Sequence, residues 1–157
     1  QTPDIDRARC GRRRRSDLLP GIVADRLRAS PGKEQIILES TGQKFAPAIC
    51  FEALQPSHAD TVAQLGANVY LASVARPAAA LVKAMRHYPT IARTHRMQVI
   101  MASCIGPSDD FVSVGQSAAW NDRGVLLGQM DRESEGFVVL DMRTGGAYVR
   151  NRVTGAS

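Results

Sequence analysis

Phe45-Ala46-Pro47-Ala48-Ile49-Cys50-Phe51-Glu52 is the stretch on which the reading of the fold turns. Residues 45–49 form a strand-like apolar run, and Cys50 ends it just before a turn. Ala53-Leu54-Gln55-Pro56-Ser57 then leads into an amphipathic stretch at 58–65. A side chain at a strand-to-helix junction is presented at the edge of a sheet. The first amides of the following segment lack intrahelical partners. Such amides favour a thiolate and can also receive an oxyanion. A buried thiol that closes a core strand is the commoner fate of a cysteine, so the neighbours of Cys50 must decide.

The length of 157 residues suits one domain around one core. A hydrophobic fraction of 44% against 22% charged residues excludes a chain too polar to bury a core. No apolar run approaches the roughly 18 residues of a membrane span, and the start carries no signal-peptide pattern. Cys10, Cys50 and Cys104 are odd in number and build neither a disulfide framework nor a CxxC metal site. No metal and no cofactor is expected, and a reducing, cytoplasmic setting is. The chain begins with Gln1 instead of Met, which reads as a fragment or a processed product.

The net charge of +5 is concentrated at one end. Up to Arg28 there are eight Arg against four Asp, so +4 of it lies there. Arg12-Arg13-Arg14-Arg15 could meet phosphates, but no aromatic residue interleaves with the run to stack on bases. A nucleic-acid partner is therefore not expected. Residues 1–30 read as a basic, poorly ordered arm, 31–145 as the folded domain, and 146–157 as a flexible tail.

Working outward from Cys50, residues 34–39 (EQIILE) and 44–50 pair as a hairpin about Ser40-Thr41-Gly42-Gln43. Residues 57–65 read as a helix with Ser57 as N-cap and Gly66 as its stop. Residues 67–73 (ANVYLAS) form a buried strand. A longer helical stretch covers 78–96, with Pro89 breaking it into two pieces or kinking it. Strands follow at 97–105 (MQVIMASCI) and, after a loop at 106–110, at 111–119 (FVSVGQSAA). The turn Asn121-Asp122-Arg123-Gly124 leads to strands at 125–130 and 136–142. The order β-β-α-β-α-β-β-β-β predicts a mixed sheet with helices on one face, in the α/β or α+β class. The other face of that sheet then needs a cover.

With these elements placed, the chain resembles the carbon–nitrogen hydrolases of the nitrilase superfamily. Ile49-Cys50-Phe51-Glu52, Gly66-Ala67-Asn68, Ala92-Arg93-Thr94, Gly115-Gln116-Ser117 and Asn121-Asp122-Arg123-Gly124 follow the family's ICYE, GAD, ARA, GxS and DPxG patterns in order. The resemblance runs over residues 30–142 and corresponds to the C-terminal part of the family domain. It implies an αββα sandwich, here incomplete at the N-terminus. It also implies a thiol hydrolase of non-peptide C–N bonds in a small amide or nitrile. In the family a Glu–Lys–Cys triad acts, and Cys50 matches the nucleophile. The Phe51 amide matches an oxyanion donor, and Glu52 a supporting residue.

The family's Lys lies in a segment resembling K-x-H-L-x-P. Arg15-Ser16-Asp17-Leu18-Leu19-Pro20 is the corresponding stretch, with Arg15 standing 35 residues before Cys50 as a weak replacement. The general-base Glu has no counterpart in the chain. Glu52 is expected to orient the site or to pair with Arg93. Arg96-Met97 stands where many members carry Glu-Asn. His58, His87 and His95 are read as surface or partly buried, Cys104 as a core thiol, and Asp109-Asp110 as solvated. The resemblance also implies a homo-oligomer, a dimer. The alternative to an active hydrolase is a catalytically inactive nitrilase-like fragment or interaction module that lacks the Glu and Lys.

Overall fold

The computed structural model describes residues 35–152, so the basic arm with Cys10 and Arg15 and residues 153–157 lie outside the described part. The hairpin expected at the start forms from β1 (Leu38–Ser40) and β2 (Gln43–Ile49), with Thr41 and Gly42 at the turn. β1 is shorter than the sequence suggested. A short 3-10 helix, Glu52–Leu54, precedes α1 (Pro56–Gln64). Pro56 takes the first helical position, where a missing N–H costs nothing. Gln55 is the N-cap, and Ser57 lies inside the helix, its carbonyl accepting from Thr61 Oγ1 at 2.8 Å.

β3 (Val69–Val74) leads into α2 (Ala78–His95), a single helix that runs through Pro89. Of the two outcomes expected there, separate helical pieces do not form. A proline inside a helix costs roughly 3 kcal/mol, but Leu81, Ala84, Tyr88, Ile91 and Ala92 are all buried on one face of this helix. Burial of one large apolar side chain contributes about 1.5–3 kcal/mol, so packing on both sides of Pro89 outweighs the local penalty.

β4 (Gln98–Ser103) follows, and then a small hairpin of β5 (Ile105–Ser108) and β6 (Phe111–Val114). The loop expected at 106–110 is thus mostly strand. Pro107 is tolerated because the two-stranded sheet leaves both its strands as edges. Gly115-Gln116-Ser117 separates β6 from β7 (Ala118–Trp120), two elements the sequence had joined. β8 (Leu126–Gln129), β9 (Gly136–Leu140) and β10 (Ala147–Asn151) complete the described chain. β10 pairs antiparallel with β9, so residues 147–151 of the expected tail are strand, while 153–157 lie outside the described residues.

Six strands form the main sheet in the order β1-β2-β3-β4-β7-β8. β2, β3 and β4 run parallel, and the outer pairs are antiparallel. Alternation along the strands sorts the two faces. Ala46, Ala48, Tyr70, Ala72, Val74, Val99 and Met101 pack with Val62, Leu81, Ala84, Tyr88 and Ile91 of the helices in one core. Tyr88 and Trp120 meet there with ring centroids 5.9 Å apart. The opposite face carries Pro47, Ile49, Leu71 and Ile100 around an apolar depression, and Ile49 is 67% exposed. This is the face expected to need a cover. No helix among the described residues is long and apolar enough to cross a membrane.

Candidate functional site

The three parallel strands end together. Ile49 is in register with Ser73, and Val74 with Ser103. The chain therefore leaves the sheet at Cys50, Ala75 and Cys104 along one edge. The carboxyl ends of parallel strands are where α/β folds hold ligands.

Cys50 makes the sharpest turn at that edge. Its φ is +54°, in the left-handed region that a side-chain-bearing residue rarely adopts. Its amide donates to the Ser73 carbonyl at 2.8 Å, which ties the turn to β3. The thiol-bearing residue and Phe51 are both exposed. Leu54 N–H then bonds the Phe51 carbonyl at 3.1 Å and Gln55 N–H the Glu52 carbonyl at 3.0 Å, closing the short helix. A strand, a strained single residue and a helical turn together make an elbow.

Glu52 braces the elbow from behind. Its Oε2 accepts from the Ile49 amide at 3.1 Å, and its Oε1 lies 3.5 Å from His58 Nε2. The His58 contact is Coulombic, since Nε2 has no well-directed hydrogen-bond partner. His58 is only 6% exposed, so the expectation of a surface or partly buried histidine fails for it. Its Nδ1 lies 3.0 Å from the Tyr70 hydroxyl, with the two rings edge to face. Burial lowers the His58 pKa, and the Glu52 charge offsets this only in part. Burial pushes the Tyr70 pKa up, and the charges of Tyr88 and Glu52 add to this. Glu52 does not meet Arg93, whose guanidinium donates to Thr90 Oγ1 at 3.2 Å on its own helix.

α2 grips the other side of the elbow. His87 Nε2 donates to the Ala53 carbonyl at 3.1 Å, which fixes its tautomer. Burial lowers the His87 pKa, while that carbonyl raises it. His95 serves elsewhere, 3.2 Å from Asp60, and joins the end of α2 to the middle of α1.

The remaining sequence candidates lie apart from Cys50 or outside the described residues. Cys104 is half-buried at the end of β4, its Sγ 3.4 Å from Ser108 Oγ. Ser117 Oγ accepts from the Ser103 amide at 3.0 Å and joins the GxS-like turn to β4. A cavity of about 200 Å³ opens beside that turn, lined by Ser103, Gln116, Ser117 and Glu135, and Cys50 does not line it. Asp109 and Asp110 are exposed. Among the described residues no group of three His, Cys, Asp or Glu side chains could hold a metal ion. Arg15 falls outside the described residues.

Sequence reasoning missed His58 as a buried brace and missed Arg76 altogether. His58 stands four residues before the buried Val62 on α1, a spacing that places both on one helix face. Arg76 interrupts the apolar run Val74-Ala75-Arg76-Pro77 with no acidic neighbour in sequence.

Parallel strands that carry an exposed, strained cysteine elbow define a thiol-bearing α/β site. The carbon-nitrogen hydrolase family model matches residues 4–148, and the chain belongs to that family. Solved structures share the fold at low identity. An amidase from Nesterenkonia sp. is 21% identical, with 66% of this chain and 40% of the amidase covered and a TM-score of 0.57. Nit3 of Saccharomyces cerevisiae, of the nitrilase superfamily, is 19% identical over 68% of this chain and 40% of its own, at 0.61. A glutamine-dependent NAD+ synthetase from Acinetobacter baumannii is 18% identical over 80% of this chain and 25% of its own, at 0.66. The chain thus spans less than half the length of these proteins. One structure of the Nesterenkonia amidase carries the product of Michael addition of acrylamide at its active-site cysteine. No curated protein matches the chain.

Proposed function

We propose that Cys50 is the nucleophile of a hydrolase acting on the carbon–nitrogen bond of a small amide or nitrile. The observation that carries this reading is the positive φ of Cys50 in an exposed elbow at the carboxyl edge of the parallel strands. Strained backbone at a reactive side chain persists only where the surrounding structure holds it. Here the Ser73 carbonyl, the Glu52 carboxylate and His87 do so.

In the proposed reaction the Cys50 thiolate attacks the amide carbon and forms a C–S bond, and the carbonyl oxygen becomes an oxyanion. The Phe51 amide is the proposed donor to that charge. Collapse expels the amine, which takes up a proton, and leaves a thioester. Water then cleaves the thioester to an acid and regenerates the thiol. Glu52 is not the proton carrier in this scheme. One of its oxygens accepts from Ile49 and the other faces His58, so it holds the elbow instead. The general base and the cation of the family triad would come from outside residues 35–152. Arg15 remains the proposed stand-in for the family Lys. The acrylamide adduct of the Nesterenkonia amidase supports the choice of a small amide as the first substrate to try.

A second reading, a catalytically silent hydrolase-like chain, is favoured by one observation. Among the described residues Glu52 is the carboxylate beside the elbow in sequence, and it is already engaged. Ammonia release from propionamide separates the two. Turnover that disappears in Cys50→Ala supports the hydrolase, and turnover that survives this change contradicts the role of Cys50. A wild-type chain without turnover supports the silent reading.

A further inference from the structure

Arg76 is the buried guanidinium of this fold. It follows β3 directly, is 8% exposed, and is the one Lys or Arg among the described residues in the buried class. Its backbone is fully engaged. The amide donates to Ser113 Oγ at 2.9 Å, and the carbonyl accepts from Val114 N–H at 3.1 Å. The side chain is not engaged in the same way. Its Nε is buried without a hydrogen-bond partner. The buried Tyr88 hydroxyl on α2 faces the same guanidinium, in a contact too poorly directed to satisfy either group fully. No carboxylate among the described residues lies within ion-pair distance of it. A buried charge without a counter-charge is strongly unfavourable, so such groups are normally paired.

The position of this cation, unpaired among the described residues, gives it meaning. Cys50 bonds the Ser73 carbonyl, three residues before Arg76, so both sit at the carboxyl edge formed by β2 and β3. Tyr88 senses the neighbourhood of both. Burial raises its pKa, the adjoining Arg76 lowers it by its charge and by a hydrogen bond, and Cys50 raises it again.

We infer that Arg76 is a subsite for a carboxylate on the molecule that reacts at Cys50, which makes the site selective for amides bearing an acidic group. This rests on Cys50 being the nucleophile. A guanidinium presents paired N–H donors that match a carboxylate in two parallel, charge-assisted hydrogen bonds. The orphaned Nε and the lack of a counter-charge among the described residues have one common remedy, an anion delivered with the substrate.

Alkylation of Cys50 tests this without requiring turnover. Iodoacetate and iodoacetamide transfer similar groups to a thiolate and release iodide, but only the first carries a carboxylate. The rate ratio of iodoacetate to iodoacetamide at Cys50, read by peptide mapping, is compared with the ratio for glutathione. The expected result is a ratio at Cys50 about tenfold above that of glutathione, the equivalent of one charge-assisted contact. Arg76→Gln is expected to return it to the glutathione value and Arg76→Lys to retain part of it. An unraised ratio in the wild type, or a raised one that survives Arg76→Gln, overturns the inference. The first of these is also the outcome if a carboxylate of the chain itself neutralises Arg76. Should Arg76→Gln not fold, the wild type answers alone. Succinate, but not succinamide, at equal ionic strength must protect Cys50 from iodoacetamide, and equal protection by both overturns the inference. The nucleophile reading fails differently, by Cys50 reacting with iodoacetamide no faster in the folded protein than in the unfolded one.

Discussion

Cys50 donates its amide to the carbonyl of Ser73 at 2.8 Å, and in doing so holds a left-handed φ of +54°. The bond belongs to the backbone, so it survives side-chain replacement, whereas the strain does not. For a side-chain-bearing residue that conformation costs roughly 1–2 kcal/mol, and glycine is exempt. Cys50→Gly should therefore be more stable than Cys50→Ala by about 1 kcal/mol, after allowing for glycine's greater unfolded-state entropy. Urea denaturation of the two variants measures the difference. An alanine variant as stable as the glycine variant removes the strain from the argument.

The buried histidines give the fold an acid-sensitive limb. The pKa values of His58 and His87 are both lowered from 6.5 by burial, so the unfolded chain binds protons that the folded chain refuses. Stability is then complete above about pH 6.5 and falls as the pH drops toward the folded-state values. The midpoint of urea unfolding between pH 7.5 and pH 5 is expected to decrease. In His58→Gln with His87→Gln the decrease should be shallower, and an unchanged slope would show that other groups set it.

His58 also braces the elbow. Its replacement by alanine leaves the Tyr70 hydroxyl and one Glu52 oxygen without their neighbour beneath Cys50. An orphaned buried polar group costs about 1–3 kcal/mol. Loss of that size in His58→Ala is expected, with the larger part recovered when Tyr70→Phe is added. A double variant no better than the single one would contradict the pairing.

Gly124 sits where the turn after β7 meets α2. Its φ is +75°, and a Cβ there would stand 2.5 Å from the Pro89 carbonyl oxygen and 2.8 Å from Arg93 Cγ. The first obstacle is backbone and cannot move aside. Gly124→Ala is expected to destabilise by about 2 kcal/mol or more, through overpacking together with the left-handed φ. Thermal unfolding checks this, and a neutral result would mean that the turn does not dock on Pro89.

The legible parts of the fold are those where local signals and tertiary packing agree. The run 45–49, the apolar strand at 67–73 and the helix near 57–65 could be read from periodicity and flanking glycines, and the elbow at Cys50 followed from their order. Pro89 misled because its local cost is real, while the burial that offsets it on either side is a property of the packed molecule. β5 and β10 were hidden because each lies in a two-stranded sheet with exposed faces, where no apolar alternation is required. The brace of Glu52, His58 and Tyr70 joins residues 18 positions apart, and no sequence spacing marks it. That no carboxylate among the described residues pairs with Arg76 is likewise visible only once its neighbours are known.

The most direct test of Cys50 is its own reactivity. The rate of alkylation by iodoacetamide at pH 7, followed at Cys50 by peptide mapping, is measured in the folded protein and again in urea. An activated nucleophile reacts faster when folded, by a factor on the order of ten, because the elbow holds the exposed thiol in one orientation. Cys104 is half-buried and should instead be slowed by folding. Folded Cys50 that reacts at or below its unfolded rate would contradict its role as the nucleophile.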